Sequence, residues 1–254
     1  SDVYKRQVYG IGGYFGTRFV NEDLFNTAAG QSNTNTTDAP IMKLNEVLLN
    51  YLEAAAELND MGAYTLSQKD LDITINEIRK RASVNMPAVT LSGKNFSVNG
   101  VIINDPDRDL GNSEVVGDYE VSPILWEVRR ERRIELVYEG IRFDDIRRWG
   151  KLHYADMKIN KKLNLGAWLD KEAYLKEYNQ ANGTSYTIDD LKDILLDREG
   201  NSGYIKPIQV SSLLRTYGEK DYLYPIPTGQ ISLYNSKSEQ LGDSSIKLEQ
   251  NPGW

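Results

Sequence analysis

The stretch at residues 122–152, SPILWEVRRERRIELVYEGIRFDDIRRWGKL, limits what this chain can fold into more than any other segment. Ser122 suits a helix N-cap and Pro123 the first helical position. Glu127, Glu131, Glu135 and Glu139 recur every fourth residue, so on a helix they stack along one side. Arg129, Arg130, Arg132 and Arg133 fall mostly on the other. Like charges four apart destabilise an isolated helix by roughly a few tenths of a kcal/mol per pair. Ile124, Leu125, Val128, Ile134, Val137 and Tyr138 meanwhile point in several directions around the same axis. Such a helix must be clamped between neighbours that supply the opposite charges. Gly140, followed by Arg142, Asp144, Asp145, Arg147 and Arg148, begins one such neighbour.

A chain of 254 residues, 40% hydrophobic, can bury a core in one or two domains. Its net charge of −7 leaves no basic excess to neutralise phosphates, which argues against nucleic acid as a partner. Cysteine is absent, so disulfides, thiolate nucleophiles and Cys-based metal sites are excluded. No run of about 18 apolar residues is present to span a bilayer as a helix.

Along the chain, residues 8–40 are rich in Gly, Asn and Thr and read as loop. Apolar residues at 41, 44, 48, 51, 52, 55 and 58 predict one helix over 41–61, stopped by Gly62. Ser67 to Asp70 resembles a capping box, and Leu71, Ile75, Ile78 and Ala82 continue a second helix. Residues 41–82 thus form one helical hairpin of tetratricopeptide type, and 122–152 a second. Between them, 83–121 reads as a long insertion. A variable stretch over 160–217 contains two short predicted helices, Lys171–Asn182 and Ile188–Arg198. Residues 218–254 are punctuated by Pro and Gly and read as irregular. The expected class is mainly α: tetratricopeptide-like hairpins in an α–α superhelix with long irregular loops.

Four motifs in one order carry a family resemblance. Pro40-Ile41-Met42-Lys43-Leu44-Asn45-Glu46-Val47-Leu48-Leu49-Asn50-Tyr51-Leu52-Glu53-Ala54 comes first, with Lys43 where the family has Arg and Leu52 where it has Ala. The run R-R-E-R-R-I-E-L-x-x-E-G-x-R-F-D-D-x-R-R-W follows, then Leu223-Tyr224-Pro225-Ile226-Pro227 and Gln250-Asn251-Pro252-Gly253-Trp254. Together they resemble the SusD/RagB proteins, glycan-binding surface lipoproteins of Bacteroidetes. The resemblance spans roughly residues 9–254. Residues 1–7 have no counterpart in it and read as an assembly remnant. It implies that residues 8–254 are a single C-terminal region, about half of the usual protein. It further implies an outer-membrane location through a lipid anchor absent from this chain. The implied partners are an oligosaccharide or polysaccharide and a TonB-dependent, SusC-like transporter, with no cofactor and no catalysis.

The candidate residues divide by chemistry. The Glu127/Glu131/Glu135/Glu139 stripe invites a glycosidase reading, but its Arg-rich surroundings favour a structural ion network with Arg79, Arg81, Arg142, Arg147 and Arg148. Asp105, Asp107 and Asp109 alternate as in a calcium loop, but glycine falls one position late and the twelfth position is Val116 rather than Glu. His153 is the only histidine and, without cysteine, builds no conventional zinc site. Gly10 to Gly13 lacks the Lys-Ser/Thr of a phosphate loop. A glycan binder needs exposed aromatic faces on loops with hydrogen-bonding groups beside them. Tyr14, Phe15, Arg18 and Trp168 fit that need, whereas Trp126, Trp149 and Trp254 sit in contexts that favour packing. Two rival readings remain: a tetratricopeptide-type protein–protein scaffold, and a helical glycoside hydrolase.

Overall fold

The computed structural model describes residues 23–24, 27–28, 40–160, 163–206 and 215–254. These form two compact units, one ending at Asp145 and one running from Ile146 to Trp254. Both are mostly helical with short strands.

In the first unit the main helices are α1 (Leu44–Asp60) and α4 (Pro123–Glu135), which pack against each other. Leu49, Leu52, Ala55 and Ala56 are the buried face of α1, while Leu44, Tyr51 and Leu58 are exposed. The helix is apolar on more than one side, so spacing alone could not select the face that meets α4. Leu52, Ala55 and Ala56 join Leu71, Ile75, Val89, Phe96, Ile124, Leu125 and Val128 in the main core.

The second helix of the first hairpin is split into α2 (Gln68–Asp72) and α3 (Ile75–Arg79). The break falls at Thr74, whose backbone leaves the helical region (φ −125°, ψ −95°). Its Oγ1 donates to the Asp70 carbonyl at 2.5 Å, a local bond that competes with the helical ladder. At the start of α2, Asp70 Oδ2 accepts the Ser67 N–H at 2.9 Å and the Ser67 hydroxyl at 2.7 Å. Its carboxylate also receives the Tyr51 and Tyr64 hydroxyls.

Residues 83–121 read as irregular in sequence, yet they contain a three-stranded antiparallel meander: β1 (Val89–Ser92), β2 (Asn95–Val98) and β3 (Val101–Ile102). Both turns have two central residues. Gly93 has φ +60°, and Asn99 and Gly100 are both left-handed, as a type I′ turn requires. Strand β1 lies at the edge of the sheet, and its outer side is covered by side-chain amides. Asn76 Oδ1 accepts the Val89 N–H at 2.7 Å and Asn76 Nδ2 donates to Val89 O at 3.0 Å. Gln68 adds bonds to Val89 O and Leu91 N.

Helix α4 begins as its sequence indicates, with Ser122 Oγ accepting the Leu125 N–H. It ends at Glu135, short of the last glutamate of the stripe, and Tyr138 and Gly140 beyond it turn left-handed. Its charges are met from α1 and from the α3 region. Arg79 grips Glu131 with two prongs, Nε to Oε1 at 3.1 Å and Nη2 to Oε2 at 2.8 Å, both side chains nearly buried. Arg81 and Asn45 bind Glu135, and Lys43 reaches Glu139 beyond the helix end. On the other side, Arg132 binds Asp145 at 2.7 Å and Asn50 at 2.5 Å, with Glu53 at 3.7 Å, and Arg129 pairs with Glu57.

Helix α5 (Arg142–Arg148) leads into the second unit. There Ile146, Trp149 and Leu152 form a small core with Tyr154, Ala155, Tyr217 and Tyr222. Strands β4 (Trp168–Asp170) and β5 (Ser202–Tyr204) pair antiparallel, and α6 (Lys171–Asn182) follows β4 directly. Asp170 caps α6 through the Glu172 and Ala173 N–H groups, and Gly183 ends it left-handed, so its bounds match those predicted. The second helix predicted there is only a 3-10 turn, Ile188–Leu191, before the chain extends to bridge Leu196 with Ile205.

The tail is not irregular throughout: α7 (Thr228–Leu241) occupies its middle. Pro225 and Pro227 precede the helix, where they cost it no internal hydrogen bond. The two motifs flanking α7 are tied together. Gln250 Oε1 accepts the Ile226 N–H at 2.8 Å and Gln250 Nε2 donates to Ile226 O at 2.9 Å. Asn251 donates to Tyr224 O, and the Trp254 indole N–H to the carbonyls of Lys220 and Leu223. No helix among the described residues is long and apolar enough to cross a membrane.

Two stability predictions follow from the first unit. Arg79→Ala strands a buried Glu131 carboxylate and should cost ~3–5 kcal/mol in urea unfolding, whereas replacing both partners by Met should cost much less. Equal losses in the two variants would show that the pair's burial is not what matters. Burial alone pushes the Asp70 carboxyl up, but its bonds from the Ser67 hydroxyl, Tyr51, the Ser67 N–H and Tyr64 bring it down to about 2, from 3.8. That contribution is complete above pH 4 and is lost as pH falls towards 2, about 1 kcal/mol after discounting for solvent screening. Acid titration of stability should therefore be flatter over this window in Asp70→Asn than in the parent chain.

Candidate functional site

Trp168 is the candidate ligand residue that falls within the described structure; Tyr14, Phe15 and Arg18 lie outside the described residues. The short β4–β5 ribbon puts Trp168 directly opposite Tyr204. Their rings meet edge to face, centroids 5.1 Å apart and planes at 84°. The Arg198 guanidinium lies over the Trp168 ring at 4.9 Å. Asp197 holds that guanidinium from both Nε and Nη2 at 3.2 Å, and its Oδ1 also accepts the Tyr204 N–H at 2.7 Å. The Arg198 bond, more than any other, lowers the Asp197 carboxyl below its ordinary value. Gly203 makes this closeness possible: a Cβ there would come within 2.7 Å of Asp197 Oδ1 and 3.1 Å of Arg198 Cγ.

A second aromatic group stands on α6 of the same unit. Tyr174 and Tyr178 are one helical turn apart and stack at 5.7 Å, and Tyr186 lies 5.9 Å from Tyr178. Tyr186 is beyond the helix and is held by Asn179. The Asn179 amide accepts the Tyr186 N–H at 2.9 Å, donates to Tyr186 O at 2.8 Å and also receives the Thr184 hydroxyl. The five aromatic side chains of the two groups are between 39% and 50% exposed. Such faces can cover the apolar side of a sugar ring, and Arg198 can donate to its hydroxyls.

The sequence reading missed Tyr204 and the three tyrosines. The i, i+4 spacing of Tyr174 and Tyr178 on a correctly bounded helix was a usable signal. Tyr204 carried none, because its partnership with Trp168 depends on strand pairing.

The other candidates sit elsewhere. Of the calcium candidates, Asp105 accepts the Asp107 N–H and the Trp126 indole N–H, and Asp109 accepts the Gly111 N–H. The Trp126 bond is the main cause lowering the Asp105 carboxyl. These are turn and packing bonds. In the glutamate stripe, Glu127 is buried, and burial raises its carboxyl against the opposing pull of Arg130 at 2.5 Å. Arg142 opens α5, Arg147 lies over Tyr224 at 3.9 Å, and Arg148 lies 5.2 Å from the Trp149 ring. His153 is buried in a 3-10 turn, edge-on to Tyr154. Trp149 is buried and Trp254 docks the tail.

The SusD family model matches residues 5–254, nearly the whole chain. The chain belongs to the SusD family. Among solved structures, a SusD-like carbohydrate binding protein from Bacteroides fragilis is 31% identical over 77% of this chain, with a TM-score of 0.40. A second SusD-like protein from the same organism is 22% identical over 96% of this chain, with a TM-score of 0.45. The matches cover 28% and 31% of those two chains, so this SusD-family chain spans less than a third of their length. No curated protein matches it.

Asn179→Ala removes the two hydrogen bonds that hold Tyr186 beside the tyrosine pair and a third from the Thr184 hydroxyl. At about 1 kcal/mol each, amide exchange at Tyr186 should rise at least about ten-fold while global stability changes little. Unchanged exchange would show that the loop is held by other contacts.

Proposed function

We propose that this chain is part of a non-catalytic, cell-surface glycan-binding protein, with the Trp168–Tyr204–Arg198 group contributing to the sugar site. Membership of the SusD family over residues 5–254 is the observation that carries the reading. The half-exposed aromatic ribbon supports it, because it offers ring surface and hydrogen-bond donors on one short, braced element. In the whole protein, a lipid anchor would place it at the outer membrane. Captured oligosaccharide would pass unaltered to a TonB-dependent transporter of SusC type.

The carboxylates that suggested hydrolysis have other work. Glu131 and Glu135 are bound to Arg79 and Arg81, so both carboxylates are taken up in the ion network between helices. A protein–protein scaffold needs no exposed Trp–Arg–Tyr ribbon, although its helices would look the same.

Affinity gels cast with a panel of neutral and acidic polysaccharides test the proposal. At least one polysaccharide should retard the chain, and Trp168→Ala should weaken that binding about ten-fold, the equivalent of about 1.4 kcal/mol. Free migration on every gel would point to the scaffold instead. Release of reducing sugar that is lost in Glu131→Gln would point to an enzyme.

A further inference from the structure

The first unit contains a cleft of about 710 Å³, within the size range of small-molecule sites. Four pieces of backbone build it: the end of α1 (Asn59, Asp60), the link to α2 (Thr65, Leu66), the β1–β2 turn (Gly93, Lys94) and the first turn of α4 (Ser122 to Ile124). These pieces are tied to one another. Ser122 Oγ donates to Asp60 Oδ2 at 2.6 Å, Asn59 Oδ1 accepts the Leu66 N–H at 3.1 Å, and Gln68 Oε1 accepts the Leu91 N–H at 2.8 Å. The cleft is therefore preformed and would not need to order itself around a ligand.

Its lining is divided by chemistry. Leu66, Leu91, Pro123 and Ile124 supply an apolar floor, and Leu66 and Ile124 are themselves buried. Lys94, Asp60, Glu120 and Thr65 supply the polar groups around it. Asp60 and Glu120 each use one oxygen on a protein donor, Ser122 and Arg108 respectively, which leaves acceptor capacity on both carboxylates. Asn59 uses its oxygen on Leu66, which leaves its NH2 to donate, and Lys94 adds three N–H donors.

We infer that this cleft is a second carbohydrate site, one that takes a neutral sugar unit. The inference rests on the reading of the protein as a glycan binder. A pyranose has an apolar C–H face and a rim of hydroxyls that both donate and accept, and the floor and rim offer the complement of each. Asp60 and Glu120 are balanced by Lys94 and by the Arg108 guanidinium on Glu120, so the cleft has no excess of positive charge with which to hold a uronate or a sulfated sugar. No aromatic ring lines the cleft, so its recognition rests on hydrogen bonds and shape, unlike the ribbon around Trp168.

The two sites can be separated by experiment on the full chain. Amide NMR spectra would be recorded with neutral tetrasaccharides (cellotetraose, maltotetraose, mannotetraose and xylotetraose) and with trigalacturonate. In Trp168→Ala, at least one neutral tetrasaccharide should still shift the amides of Thr65, Leu66, Gly93 and Lys94, and trigalacturonate should not. Lys94→Ala and Thr65→Trp, both at exposed positions, should each weaken that residual binding at least ten-fold while Trp168-dependent binding stays intact. Cleft amides that stay still in every titration, or residual binding that neither variant weakens, overturns the cleft assignment alone. Equal shifts with trigalacturonate overturn the assignment to neutral sugars. Absence of any sugar binding in the parent chain overturns the glycan reading itself, and the cleft with it.

Discussion

The two-pronged ion pair between Arg79 and Glu131 is the constraint on which the first unit depends. Each side chain is nearly buried, so neither charge could be tolerated without the other. Because the geometry is bidentate, the pair fixes the approach of the α3 end to α4 and the register between them. Around it, other charges of α4 have partners in the neighbouring segments: Arg81 for Glu135, Glu57 for Arg129, and Asp145 for Arg132. Buried ion pairs of this kind add little net stability over apolar packing. Their effect is to make wrong arrangements of the same helices expensive, since any slip strands a charge.

The irregular segments are held by a different device. Side-chain amides stand in for backbone partners, as Asn76 does on Val89, Asn179 on Tyr186 and Gln250 on Ile226. In each case one amide both donates to and accepts from the same residue. A planar amide with a donor and an acceptor side by side can satisfy a backbone N–H and C=O that would otherwise be unpaired. On β1 it also covers a sheet edge, and in the tail it joins two motifs separated by α7.

The candidate binding surfaces have supports of their own. The aromatic ribbon needs Gly203 to bring β5 against Asp197 and Arg198, and the tyrosine array needs Asn179. The cleft of the first unit needs the Ser122–Asp60 bond between α4 and α1. Of these supports, Asp60 is also an acceptor in the rim of the cleft. They place aromatic faces, donors and acceptors that the surrounding loops would otherwise leave to drift.

By itself, the sequence determined the family, the helical class, the N-cap of α4, the bounds of α6, and the need of α4 for oppositely charged neighbours. These are local: Ser122-Pro123, Asp170, Gly183 and the four-residue glutamate spacing act within one or two helical turns. The meander was partly legible too, since Asn99-Gly100 between valines is a strong hairpin signal that the density of polar residues in 83–121 obscured. The tail helix was hidden by counting prolines without noting that they precede it. Only the tertiary structure decided which face of α1 is buried and that Trp168 meets Tyr204 and Arg198. Those outcomes rest on contacts between residues far apart in the chain, where several faces or partners are chemically adequate and packing selects one.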